Sequence, residues 1–158
     1  MKHAYRVPVA AAVLAALIGV ACVSRQPSRE PYHPQARAIT VTTIPLVTRE
    51  MQSAYPFLKE DFAKGGLLEG KEVYAFEPST ITVYEGDTLH LTFVNPEDDR
   101  HAFALADFYI DLPGQTRRDT TYVARHEGIY TISCVVAAHL PMMRGQLVVL
   151  APPSGASR

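Results

Sequence analysis

Cysteine is almost absent from this chain. It occurs twice in 158 residues, as Cys22 and Cys134. Cys22 lies in an apolar N-terminal stretch, so the folded part holds one thiol and no partner for an internal disulfide. The same scarcity excludes any metal centre that needs two bridging cysteines. Charge of one sign is also lacking, with a formal net charge of −1. Residues 1–22 carry Lys2 and Arg6 and no acid, so 13 basic and 16 acidic residues remain beyond them, a net −3. A nucleic-acid binder would show a basic face, so no nucleic-acid partner is expected. There is no internal repeat, Gly-rich phosphate loop, nucleotide fingerprint or serine-nucleophile elbow.

A long membrane span is missing as well. The apolar run Val7–Ala21 is short for one and suits the hydrophobic part of an export signal, behind the basic start Lys2, His3, Arg6. Gly19-Val20-Ala21 before Cys22 resembles a lipoprotein cleavage site, where the Cys becomes the lipidated N-terminus. Gly19 departs from the Leu usual there. Lipidation at Cys22, ordinary cleavage and an uncleaved anchor all remain open. The expected location is periplasmic or otherwise extracytoplasmic. Residues 23–37 are polar with three prolines and read as an extended linker, with His33 solvated. The tail 151–158 is expected to be disordered.

Between these segments the pattern is that of short strands. Residues 38–44 read as a strand, with Pro45 and 46–54 as loop. Residues 56–64 suggest a short helix: Pro56 suits its first position, Phe57, Leu58 and Phe62 form an apolar stripe, and Gly65-Gly66 stops it. Lys71–Phe76 and Thr80–Tyr84 follow as strands. Thr88–Val94 alternates cleanly, Leu89, Leu91 and Phe93 on one face and His90 on the other, so His90 is expected in solvent. Strands are also expected at His101–Leu105, Thr120–Ala124, Gly128–Ser133 and Gly145–Leu150. His126 falls in a turn. Seven or eight short strands separated by turn signals predict an all-β sandwich, antiparallel or mixed. Residues 38–71 are read as an N-terminal extension with a strand and a short helix, and 72–150 as the β-domain proper.

The chemistry lies in Cys134–Gly145, CVVAAHLPMMRG, which joins two of these strands. A thiolate (Cys134), an imidazole (His139) and thioethers (Met142, Met143) on one short loop make a soft ligand set. Soft sulfur favours copper, and Cys with two His and a weak axial Met is the trigonal site of electron-transfer copper proteins. The loop supplies one His, and His101 is the best candidate for the second. A loop held by strands at both ends suits a tuned metal site.

Residues 72–150 resemble a cupredoxin domain. Cys134-x4-His139-x3-Met143-Arg144-Gly145-x-Leu147 is similar to the ligand loop of azurin, including the basic residue and Gly after the Met. His101-Ala-Phe-Ala-Leu, Asp111-Leu-Pro-Gly-Gln-Thr and Gly128-Ile-Tyr before the Cys resemble the copper domain of cytochrome c oxidase subunit II. That family's centre holds two coppers through two cysteines, whereas this chain has Cys134 alone. The resemblance implies a Greek-key β-sandwich binding one copper ion, with His101, Cys134 and His139 as equatorial ligands and Met143, rather than Met142, as axial. It carries no backbone carbonyl ligand over to Arg100.

The function implied is single-electron transfer, with no bond made in a substrate and hence no enzymatic role or small-molecule substrate. The redox partner, a cytochrome or oxidase, is expected to dock near His139, where Val135, Val136, Ala137, Ala138, Leu140, Pro141 and Met142 would form an apolar patch. Met142 is read either as part of that patch or as core. Glu97-Asp98-Asp99 is read either as a steering patch or as a solvated loop. A copper chaperone delivering the metal to an oxidase, and a metal-free partner-binding domain, are the competing readings.

Overall fold

A computed structural model describes residues 31–153. The export segment, the first part of the linker and the end of the tail lie outside the described residues. Nine strands form two sheets: β1 (Ala36–Val47), β2 (Val73–Glu77), β3 (Thr80–Tyr84), β4 (Thr88–Asn95), β5 (His101–Leu105), β6 (Phe108–Leu112), β7 (Thr116–Val123), β8 (Gly128–Ser133) and β9 (Arg144–Leu150). One sheet runs β2-β1-β4-β7 and the other β3-β9-β8-β5-β6. Two pairings are parallel, β1 with β4 and β3 with β9. The others are antiparallel, so the sandwich is mixed and all-β, as expected.

The alternation of β4 works as its sequence demands. Leu89, Leu91 and Phe93 are buried and His90 is exposed. They meet Phe103, Ile132 and Leu147 from the facing sheet, and Phe76 from their own, in one continuous core. Burial of such side chains contributes about 1.5–3 kcal/mol each.

Three expectations need correction. The first strand is longer than 38–44 and runs through Pro45 to Val47. Residues 36–42 pair with β4, and 42–47 pair with β2. Pro45 lies past the last β4 pairing, Val94 with Thr42, where no neighbour on that side needs its missing N–H. Within residues 38–71, β1 occupies an interior position of its sheet and buries Val41. Within the supposed loop, Arg49–Ser53 forms a 3₁₀ turn. Finally β6, not anticipated, is a five-residue edge strand whose half-exposed side chains give little alternation.

The helix is α1 (Leu58–Phe62), shorter than the expected 56–64. Leu58 and Phe62, four residues apart, share a face and pack with Leu68 in a small second cluster flanked by Val47, Met51 and Val73. Phe57 is 69% exposed and stands outside the stripe. The end of the linker is also more ordered than its composition suggested. Tyr32 and Arg37 donate side-chain hydrogen bonds, and Gln35 its backbone N–H, to the buried carboxylate of Asp87. His33 is exposed, as is His126.

Candidate metal centre

Strand pairing delivers the donors to one end of the sandwich. Ser133 pairs with Arg144 at the end of the β8–β9 ladder, so Cys134–Met143 is a closed loop. The Cys134 N–H donates to the Met143 carbonyl at 3.0 Å and seals it. Inside, a 3₁₀ turn, Ala137–His139, forms as the His139 N–H reaches the Val136 carbonyl at 3.0 Å. The His139 carbonyl then receives the N–H groups of Met142 and Met143, at 3.0 and 3.1 Å. The loop is tied from outside by Lys71, whose Nζ donates to the Ala137 carbonyl at 2.9 Å, and by the Glu72 N–H, which reaches Ala138 at 3.1 Å. Gly145 is required where the loop rejoins β9. A Cβ there would stand 2.5 Å from the Ser79 carbonyl oxygen.

His101 opens β5 and faces inward. His101, Cys134 and His139 each present one ligand atom, all within 4.8 Å of one another. Their exposures are 0, 0 and 2%. Sγ of Cys134 lies 3.6 Å from Nδ1 of His139, and the two imidazole centroids are 4.6 Å apart. Neither ring nitrogen of His101 has a hydrogen-bond partner. Buried polar atoms are nearly always paired, and one left unpaired costs free energy. Burial, together with the neighbouring His139, pushes the His101 imidazole down to about 4, against an opposing pull from Asp99. Burial lowers His139 too, again opposed by Asp99. Both imidazoles are therefore neutral at pH 7, the form that ligates a metal.

The two methionines separate cleanly. Met143 is fully buried in the same cluster as Cys134, while Met142 is 37% exposed. Val135, Ala137 and Pro141 are also exposed, whereas Val136 packs on the core. His139 thus lies beneath an apolar loop surface and barely reaches it. The acidic run divides as well: Asp99 is engaged by the Tyr74 hydroxyl, and Glu97 and Asp98 are not.

The roles of three residues around the centre escaped the sequence reading, which had Asp99 only in a steering or solvated acidic run. Tyr74 packs against both imidazoles, Asp99 accepts its hydroxyl, and Asn95 holds the loop that precedes His101. The one usable signal was the alternation of Tyr74 with Phe76, which turns a hydroxyl inward and so demands a partner for it.

No protein-family model matches the chain. No curated protein matches it either. Among solved structures, it is similar to the Cu-containing nitrite reductase of Thermus scotoductus SA-01, with TM-score 0.51 and 18% identity over 73% of this chain and 28% of that one. The copper nitrite reductase of Nitrosomonas europaea gives TM-score 0.50 and 16% identity, over 73% of this chain and 42% of that one. Auracyanin A, a "blue" copper protein of Chloroflexus aurantiacus, gives 0.47 and 20%, over 73% of this chain and 99% of that one. The chain spans less than half of either nitrite reductase. At these identities the likeness to the reductases concerns the fold, a cupredoxin β-sandwich.

Proposed function

We propose that this chain is an exported mononuclear type 1 copper protein that carries single electrons between redox partners. The observation that carries the reading is the convergence of one thiol and two imidazoles, all buried, with both ring nitrogens of His101 unpartnered. A metal bond would satisfy the unprotonated ring nitrogen of His101. The mixture of thiolate and imidazole, with Met143 as axial thioether, selects copper over harder cations. When bound, copper would supply a one-electron couple between its +1 and +2 states. The chain's own contribution is to hold His101, Cys134, His139 and Met143 before the metal arrives, to keep water out, and to keep both imidazoles neutral. The exposed apolar residues over His139 would receive a transient redox partner, a cytochrome or oxidase, since weak electron-transfer interfaces are small. Export, and a lipid tether through Cys22, complete the proposal.

The test is spectroscopic. The purified protein is given Cu(II), and its visible and electron paramagnetic resonance spectra are recorded. An intense thiolate-to-copper band is expected, lost in Cys134→Ser. A protein that stays colourless, takes Cu(I) and refuses Cu(II) would turn the reading to copper delivery. Failure to bind copper in either state would overturn it.

A further inference from the structure

Tyr74 is outside the donor set, yet it touches both imidazoles. Its ring centroid lies 4.6 Å from that of His101, at 70°, and 4.6 Å from that of His139, at 52°. With the imidazoles themselves 4.6 Å apart, the three rings form a closed triangle. Tyr74 is 2% exposed, and its hydroxyl donates to the Asp99 carboxylate. Asp99 is fixed in turn, its carbonyl accepting Asn95 Nδ2 at 2.7 Å. Just ahead of Tyr74 in the chain, Lys71 and Glu72 grip the ligand loop. Core filling alone would be served by phenylalanine, as at Phe76 two residues on. A buried hydroxyl needs a partner. Here the partner is an acid two residues before His101.

We propose that Tyr74, hydrogen-bonded to Asp99, is a positioning residue for the metal donors: its ring sets the mutual angle of the imidazoles, and its hydroxyl holds and damps the carboxylate beside them. The inference rests on the copper reading above. It has two consequences of opposite sign. Removing the hydroxyl in Tyr74→Phe leaves the carboxylate charge undamped. A nearby negative charge favours the more positive metal state, so the reduction potential falls. Removing the charge in Asp99→Asn keeps an acceptor for the hydroxyl and raises the potential. A side chain that only fills space would produce neither shift.

The experiment compares the wild type with Tyr74→Phe, Tyr74→Leu and Asp99→Asn in the copper-loaded protein, by redox titration and electron paramagnetic resonance. It also follows the imidazole proton line widths of His101 and His139 by NMR in the metal-free protein. The expected result is a lowered potential in Tyr74→Phe and a raised one in Asp99→Asn. Tyr74→Leu should change the copper signature and weaken copper binding roughly tenfold or more, as loss of outer contacts does elsewhere. Shifts of the same sign, or none, in Tyr74→Phe and Asp99→Asn would overturn the inference, and these two variants decide it if Tyr74→Leu fails to fold. Should the wild type refuse copper, the functional reading falls by itself. The metal-free protein then decides: narrow single imidazole signals in the wild type that broaden or double in Tyr74→Leu, where the ring is lost, uphold the brace, and unchanged signals reject it.

Discussion

Asn95 shows how one side chain can hold a site it does not enter. It is 1% exposed. Its Nδ2 donates to the carbonyls of Asp99 at 2.7 Å and of Leu112 and Pro113 at 3.1 Å. Its Oδ1 accepts from Thr43 Oγ1 at 2.7 Å and from the Glu97 N–H at 3.2 Å. One amide thus joins β1, the loop before His101 and the end of β6. Asn95→Leu keeps the branched shape and strands these groups. Each buried polar group left unpaired costs about 1–3 kcal/mol, so a stability loss of about 3 kcal/mol is expected in urea unfolding. A loss within error of zero would show that water takes over the role. The donors themselves were legible because soft ligands at short spacing are rare and are read locally. Asn95, Tyr74 and Asp99 were not. Thr43 is 52 residues from Asn95 and Tyr74 is 25 from Asp99, so their partnerships exist only once the sheets close.

At the scale of elements, legibility followed periodicity. β4, β5 and β8 came close to their expected bounds because one face of each is core or site. β6 lies at an edge with mixed exposure and gave no such signal. β1 was cut short at Pro45, since a proline argues against a ladder unless the strand changes partners beside it, as this one does. The ligand loop has a periodicity of its own that was not readable. The 3₁₀ turn sends His139 and Met143 inward and Ala137 and Met142 outward. That division makes the outer face testable apart from the metal. Met142→Glu places a charge on the proposed docking patch without touching a donor. The visible spectrum should be unchanged and the rate of electron exchange, with a partner or between copies of the protein, should drop roughly tenfold, about 1.4 kcal/mol of encounter or barrier free energy. An unaltered rate would move the docking face elsewhere.

Across the whole molecule, the two ends of the sandwich do different work. Asp87 sits at the start of β4 and Asn95 at its finish, next to the loop that leads to His101. Eight strand residues separate these ends by about 25 Å. The segment from Tyr32 to Arg37 therefore joins the fold at the end remote from the ligand loop, so the tether proposed above would leave that loop open to the proposed partner. The joint depends on Asp87. Burial pushes its carboxyl up, but hydrogen bonds from Tyr32, the Gln35 N–H, Arg37 and the Tyr84 N–H outweigh this and bring it down to about 2. A carboxyl lowered in the folded state stabilises the protein above its ordinary value of about 4, and that contribution is lost as pH falls toward 2. The wild type should lose stability progressively across this window in thermal or urea unfolding. Asp87→Asn should be less stable at pH 7, because its amide cannot accept all four donors as an anion does, and should decline less between pH 4 and pH 2. Parallel curves for the two proteins over the whole range would mean that the acid sensitivity lies in other carboxylates and that the joint holds without its charge.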